Sequence, residues 1–244
     1  MEDFLHFYSD TPKLTHEPGL GVMTALMRRL GDPQDALRCV HLAGTNGKGS
    51  TAAMTAAILR ADGKRTGLYT SPHLLALNER IRIDGVDITT PDLAAVTEKV
   101  RQACEGTDTP SYFEKLTAAA FLYFAEKGCD AVVAETGLGG RLDPTNIIKT
   151  PLCSIITPIG SDHTAQLGDT LAAIAGEKAG IIKPGCPVVC APQEKEALEV
   201  IRRTARARGS ALDEVDITKI SILSRSPLGQ VFSFGDRSEE RRVG

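Results

Sequence analysis

A glycine-rich turn that carries a lysine and a serine is the feature of the chain with the clearest chemistry. It reads GTNGKGS at residues 44–50 and joins an apolar segment at 37–43 to a helical segment at 50–62. Glycines let the backbone approach a ligand closely, and the first amides of a helix bind phosphates. Lys48 can reach terminal phosphates, and Ser50 can hold a magnesium ion. The predicted ATP-binding residues are Gly44, Thr45, Asn46, Gly47, Lys48, Gly49 and Ser50.

The turn departs from the general phosphate-loop pattern G-x-x-x-x-G-K-[ST] at two positions. Leu42 stands where the pattern has its first glycine, and Gly49 separates Lys48 from Ser50. A flexible glycine turn without a ligand is the alternative interpretation, but the flanking strand and helix favour a phosphate loop. The departure indicates a particular family of nucleotide-binding proteins rather than a general motif.

Polar residues also follow three other predicted strands, and we expect them at the same edge of the sheet as the glycine-rich turn. Ser71 lies in TSPH, Glu135 in ETGLGGR and His163 in SDHT. In an open parallel sheet, ligands collect beyond the carboxyl ends of the strands. Oxygen ligands beside a nucleotide suit Mg²⁺, although an imidazole ligand is less usual for so hard an ion. A simple turn at Ser71 and a surface histidine at His163 are the alternative interpretations.

Several sequence blocks resemble those of the folylpolyglutamate synthase/dihydrofolate synthase family, within the Mur ligase superfamily. Together they cover nearly everything from residue 18 to residue 192. The glycine after Lys48 favours the folate branch, because the peptidoglycan ligases usually have Thr or Ser there. The blocks are HLAGTNGKGS, TSPHL, a hairpin with Asn-Glu-Arg80, YFEKLTAAAF, ETGLGGRLDPTN, SDHT and GEKAGIIKPG.

The resemblance implies roles for individual residues. Ser71, Glu135 and His163 would bind magnesium, and Lys178 would be carbamylated so that it serves the metal site as a carboxylate. Lys48, Glu135, His163 and Lys178 would then be the catalytic residues. The residues implied to hold the pteroate part of the substrate are Ser111, Tyr112, Phe113, Glu114, Leu142, Asp143 and Pro144. For at least one of the two aromatic residues among them, core packing is the alternative.

The activity implied by the resemblance is that of an ATP- and Mg²⁺-dependent amide ligase working through an acyl phosphate. It would add L-glutamate to dihydropteroate, to the γ-carboxylate of folate polyglutamates, or to both. Another amino-acid ligase of the Mur superfamily is one alternative, but it should lack the ETGLGGRLDPTN and YFEKL blocks. A nucleotide-binding module without ligase activity is the other, and it would not need Glu135, His163 and Lys178 beside the loop.

Short apolar strands alternate with amphipathic helices along the chain, which indicates an α/β fold. We predict a mostly parallel sheet that contains the phosphate loop and has helices on both faces, of the Mur ligase central-domain type. The predicted helices are 18–30, 50–62, 91–104, 114–127, 171–179 and 194–208. The predicted strands are 37–43, one ending near 69, the hairpin 80–88, 130–135, 152–157 and 187–191.

Composition excludes several classes of partner and compartment. The formal net charge of −3 supplies no broad field for nucleic acid or an anionic membrane, and no apolar run approaches the ~20 residues of a membrane span. The 6 cysteines have no paired C-x-x-C spacing, so they indicate neither a disulfide framework nor a zinc site. We therefore expect a cytoplasmic protein that binds neither nucleic acid nor a membrane. The resemblance implies that its partners are small molecules, namely a pteroate or folate, L-glutamate and ATP, and we expect a monomer.

The predicted domain organisation has three parts. Residues 1–220 are expected to form the ATP-binding domain, and residues 221–236 to begin a truncated segment that leads to a C-terminal ligase domain. Residues 237–244 match the in-frame translation of a common sequencing adaptor, and we expect them to be a non-native tail. Resequencing the locus from genomic DNA tests this expectation.

Overall fold

The computed structural model describes residues 3–9, 19–106, 109–161, 164–226, 229–235 and 237–241. Its helices are α1 Asp3–Ser9, α2 Gly21–Arg29, α3 Lys48–Ala61, α4 Thr90–Cys104, α5 Tyr112–Glu126, α6 Thr164–Leu167, α7 Leu171–Ala179 and α8 Lys195–Ala207. The strands of the main sheet are β1 Cys39–Ala43, β2 Thr66–Tyr69, β3 Ile81–Ile83, β4 Val86–Asp87, β5 Ala131–Glu135, β6 Cys153–Ile156, β7 Val188–Cys190 and β8 Leu212–Glu214. Strands β9 Ile220–Ser226, β10 Gly229–Phe234 and β11 Arg237–Arg241 form a second, smaller sheet.

The main sheet has the strand order β4-β3-β2-β5-β1-β6-β7-β8. Strands β2, β5, β1, β6, β7 and β8 run parallel, and β3 and β4 add an antiparallel hairpin at one edge. The central strands β1 and β5 are buried at every position, as their continuous apolar sequences require of strands covered on both faces. The predicted fold class is confirmed.

Alternate residues of β1 enter different cores, which defines the two faces of the sheet. Cys39 packs in the core formed by α5, whereas Val40 and Leu42 pack in a smaller core with Ala52 of α3. Ala43 packs with residues of α7 and α8 on the face that also holds α5. Of the helices just named, α3 covers one face of the sheet, and α5, α7 and α8 cover the other. The phosphate-loop turn leads directly into α3.

The structure differs from the predicted elements in a few places. Helix α3 begins at Lys48, two residues before the predicted start, because Gly47 adopts φ +79° and lets the turn close directly into the helix. The last strand of the main sheet, β8, was not predicted: its sequence, LDE, has no apolar run, and it is ordered by pairing with β7.

The segment that we expected to be foreign is partly described. Arg237–Arg241 pairs antiparallel with β10, and residues 242–244 lie outside the described residues. The domain boundary near residue 220 and the non-native origin of the tail stay predictions. No helix in the described parts of the chain combines the length and the apolar character that a bilayer span requires.

Candidate functional site

The turn after β1 is held by its own lysine and by the segment that follows β6. Lys48 Nζ donates hydrogen bonds to the carbonyl oxygens of Gly44 (3.1 Å) and Thr45 (3.3 Å). The amides of Thr45 and Asn46 donate to the carbonyl oxygen of Pro158 (3.0 and 3.2 Å). Of the seven predicted ATP-binding residues, the ones whose amides open helix α3 are Lys48, Gly49 and Ser50, and helix-opening amides are the donors that bind phosphates.

Gly44 is the tightest point of this turn. A Cβ atom at Gly44 would lie 1.9 Å from Thr157 Oγ1 and 3.0 Å from the Thr157 carbonyl oxygen. Besides the hydrogen bond from Lys48, the carbonyl oxygen of Gly44 accepts one from Nζ of Lys178 on α7 (2.7 Å). Lys178 is buried. The structure thus brings Lys178 to the phosphate loop, where sequence reasoning alone did not place it.

Glu135 ends β5 beside the start of α3. Its side chain lies on the α3 face, so that a Cβ at Gly49 would lie 3.5 Å from Glu135 Oε2. The amide of Ser71, which follows β2, donates to the same oxygen (3.1 Å). Burial raises the pKa of Glu135, while the Ser71 amide and the positive charge of Lys48 oppose that shift. Ser71 and Glu135 are therefore neighbours, and their role as metal ligands stays a prediction. His163 lies outside the described residues.

The donor set at this edge fits a magnesium ion that depends on its nucleotide. Within the described ranges, no three His, Cys, Asp or Glu side chains cluster as they would in an all-protein metal cage. Mg²⁺ commonly uses one or two carboxylates, waters and substrate phosphates instead. Glu135 and Ser71 beside the α3 N-terminus can hold such an ion.

Two residues of the predicted pteroate pocket cap helix α5. The amide and the hydroxyl of Ser111 donate to Glu114 Oε2 (2.8 and 2.7 Å), and the Glu114 amide donates back to Ser111 Oγ (3.4 Å). This reciprocal arrangement is a capping box, and both residues are buried. Their described contacts are structural, and their substrate role stays a prediction.

Tyr112 and Phe113 lie between these two capping residues, and each contacts a different tyrosine. Phe113 stacks on Tyr69 with ring centroids 5.9 Å apart, and its ring fills the space where a Cβ of Gly137 would be. Tyr112 meets Tyr8 edge to face at 6.1 Å. Both residues thus pack against the same core, which the alternative interpretation allowed for at least one of the two. Both residues are half-buried.

Asp143 organises the loop that follows Glu135. Its buried carboxylate accepts the amides of Gly137 (2.8 Å) and Leu138 (2.9 Å), and also the amide and hydroxyl of Thr145. Burial raises the pKa of Asp143, and these hydrogen bonds oppose that shift. Leu142 and Pro144 flank it and are half-buried. Asp143 therefore orders the backbone that follows Glu135.

His41 on β1 supports Asp143 and was missed by sequence reasoning. Its Nε2 lies 2.8 Å from Thr145 Oγ1. Because the Thr145 hydroxyl donates its hydrogen to Asp143, its oxygen accepts a hydrogen bond from the Nε2–H group of His41. Burial lowers the pKa of His41 to about 3, so the ring is neutral. A histidine inside an otherwise apolar buried strand was the available signal.

Arg80 and His73 are a second pair that no prediction assigned. Arg80 is buried and its Nε donates to His73 Nδ1 (2.8 Å). The guanidinium carbon lies 5.7 Å from the centre of the Tyr112 ring, within cation–π distance. The pair therefore borders the predicted pteroate pocket.

Comparison with known proteins identifies the family. The sequence profile of the Mur ligase middle domain matches residues 42–212. The chain belongs to the Mur ligase family. This Mur ligase domain is 44% identical over 232 residues to the dihydrofolate synthase/folylpolyglutamate synthase of Bacillus subtilis, covering 92% of the chain and 53% of the relative. It is 41% identical over 222 residues to the Mycobacterium tuberculosis protein of the same name, covering 83% and 45%.

Solved structures give the same relationship. The apo form of L. casei FPGS aligns with this Mur ligase domain at a TM-score of 0.89 and 34% identity, covering 97% of the chain and 60% of that structure. The folylpolyglutamate synthase of Thermotoga maritima aligns at 0.87 and 36%, covering 98% and 55%. An FPGS–AMPPCP–folate complex aligns at 0.89 and 35%, covering 97% and 60%. The chain spans about half the length of the curated relatives it matches, and the predicted resemblance is confirmed.

The close approach at Gly44 generates a prediction for nucleotide binding. The Gly44→Ala substitution should lower ATP affinity by about tenfold or more, because the new Cβ forces the loop away from Thr157 and misplaces the amides that follow. Gly160→Ala is the matched control, since its Cβ would meet Thr45 Cγ2 at 3.9 Å, an ordinary contact. It should change affinity by no more than about twofold. Calorimetric titration with ATP and Mg²⁺ measures both, and equal affinities of the two variants would contradict the assignment.

Proposed function

We propose that the chain is the ATP-binding part of a ligase that joins L-glutamate to dihydropteroate or to folates through an acyl phosphate. The observation that carries the proposal is the meeting of Glu135 with the opening of helix α3, beside Ser71 and Lys48. This arrangement combines a phosphate cradle with a carboxylate at the carboxyl edge of a parallel sheet. Similarity to folylpolyglutamate synthases over most of the chain supports the choice of substrates.

The first step is transfer of the γ-phosphoryl group of ATP to a substrate carboxylate. A carboxylate oxygen attacks phosphorus, ADP leaves, and an acyl phosphate results. The amides that open α3 and the ammonium group of Lys48 bind the phosphates and neutralise developing negative charge. For this purpose Lys48 has only to move from the carbonyl oxygens of Gly44 and Thr45, which hold it at the loop.

The second step forms the amide bond. The amine of L-glutamate attacks the activated carbonyl carbon, and phosphate leaves. Magnesium would supply positive charge that stabilises the negative phosphate oxygens. Glu135, Ser71 and His163 would hold it, with Lys178 if that residue is carbamylated. The pteroate part would lie beside Tyr112, Phe113 and Asp143, on the α5 side of the same edge.

A test of this function is glutamate-dependent ADP release with three acceptors in parallel. Dihydropteroate, tetrahydrofolate and a muramyl peptide distinguish a folate ligase from a peptidoglycan-type ligase. ATP binding without ADP release in the presence of any acceptor would indicate a nucleotide-binding module without ligase activity. The assay is run on the chain and on the product of the complete gene, since the chain spans about half of its relatives. We expect release with a pterin acceptor in the full-length protein. No release with either pterin acceptor would end the folate proposal.

The metal role of Glu135 predicts a selective loss of magnesium dependence. In the Glu135→Gln variant, ATP affinity with Mg²⁺ present should fall by about tenfold or more, because the carboxylate charge holds the ion. Affinity measured in EDTA should not fall, because without the ion the carboxylate only repels the phosphates. Glu177→Gln is the control, since the described contacts of the Glu177 carboxylate are with Arg141 (2.9 Å) and not with residues 44–50. An equal loss with and without Mg²⁺ would show that Glu135 supports the loop and not the ion.

Carbamylation of Lys178 is the second part of the metal proposal. Lys48 and Lys178 both donate to the Gly44 carbonyl oxygen, so their ammonium groups lie at most about 6 Å apart and repel. A carbamate on Lys178 replaces that repulsion with attraction. With ¹³C-bicarbonate, a carbamate carbonyl signal should appear in the NMR spectrum, disappear in Lys178→Arg and persist in Lys183→Arg. A signal that survives Lys178→Arg would refute the assignment.

The cellular setting is also a proposal. All 6 cysteines are free, and Cys39 and Cys190 are buried. Unpaired cysteines are typical of proteins from a reducing compartment. We therefore place this ligase in the cytoplasm.

A further inference from the structure

Arg80 is a buried cation that no described carboxylate neutralises. It ends a short 3₁₀ turn, Leu77–Arg80, immediately before β3, and 8% of its surface is exposed. Its contacts are the hydrogen bond to His73 Nδ1 and the ring of Tyr112. Within the part of the chain that the structure describes, no Asp or Glu oxygen lies within ion-pair distance of Arg80. Buried arginines are rarely left without an anion.

Both Nη groups of Arg80 remain able to meet a ligand. The hydrogen bond to His73 uses Nε alone, and it fixes the plane of the guanidinium. In the described ranges, the side-chain atoms that are both fully buried and without a hydrogen-bond partner belong to Gln34, His41 and Asn146, so the Nη atoms of Arg80 are not of this kind. They therefore keep contact with solvent and can be reached. A fixed guanidinium with two presented Nη groups matches a carboxylate.

Arg80 lies between the part of the candidate site that holds Ser71 and Glu135 and the part that holds Tyr112. The Thr70 amide donates to the Arg80 carbonyl oxygen (3.1 Å), so Arg80 is opposite the residue that precedes Ser71. Its charge also acts on the carboxyl of Glu135. On its other side it contacts Tyr112, at the start of α5. The phosphate cradle is on the α3 face and Tyr112 is on the α5 face, so the guanidinium lies between the nucleotide side and the acceptor side.

We infer that Arg80 binds a carboxylate of the acceptor substrate and so directs the acceptor's acidic end toward the nucleotide. The inference rests on the proposed function, because it takes a pteroate-like acceptor as the ligand. An acceptor beside Tyr112 must extend past Arg80 to reach the phosphates. His73 acts as a positioning residue, since it holds the guanidinium through Nε and leaves the Nη groups for the ligand.

The test compares pteroate with its neutral amide as ligands. Affinities are measured by fluorescence titration for the chain and for the product of the complete gene. The unaltered protein should prefer the carboxylate by about tenfold to a hundredfold, as expected of hydrogen bonds to a charged group. In the Arg80→Gln variant the ratio of the affinity for pteroate to that for its amide should fall close to one. In Arg82→Gln it should be unchanged, because Arg82 pairs with Asp87 (2.6 Å) and lies against α3 in a different pocket.

The outcomes separate this inference from the proposed function. If Arg80→Gln weakens both ligands equally, or weakens ATP binding instead, Arg80 is structural or binds phosphate and the inference is wrong. If Arg80→Gln does not fold, Arg80→Lys decides. That variant keeps the charge and loses the fork of donors, so a preference lowered by about threefold or more supports the inference and an unchanged preference overturns it. If the unaltered protein binds neither ligand, the folate function and the Arg80 inference both fail.

Discussion

The carbonyl oxygen of Gly44 is the point on which the site depends. It accepts a hydrogen bond from Lys48 of α3, on one face of the sheet, and another from Lys178 of α7, on the opposite face. The absence of a side chain at Gly44 lets Thr157 approach, so the loops after β1 and β6 lie against each other. A single backbone group thereby connects the two layers of helices at the edge where ligands bind.

The two faces of the sheet contribute different chemistry to that edge. The α3 face supplies helix amides, Lys48 and Glu135, which suit phosphates and a metal ion. The α5 face supplies Tyr112 and Arg80, which suit an aromatic molecule with an acidic end. A reaction between a nucleotide and a flat carboxylic acid requires these two environments side by side. Parallel strands that all end at one edge provide this arrangement.

Much of this organisation could be predicted from local sequence. Strands β1 and β5 are continuous apolar runs, the glycine turn lies between a strand and a helix, and Glu135 ends an apolar strand before further glycines. The residues that local sequence could not predict act over long sequence distances, and only the family resemblance pointed to Lys178. Lys178 is 134 residues from Gly44, and His41 is 104 residues from Thr145. No local pattern reports which carbonyl or hydroxyl such a side chain will meet.

The hydrogen bonds of Asp143 have a consequence for the thermodynamics of ligand binding. The amides of Gly137 and Leu138 are already fixed, and the neutral ring of His41 holds Thr145 beneath them. A ligand that enters beside this loop finds it ordered and loses little affinity to conformational entropy. A substitution at His41, which lies in strand β1 and contacts Thr145, would increase the conformational entropy of the loop in the unbound protein. Its effect would appear in the entropy of binding rather than in any lost contact with the substrate.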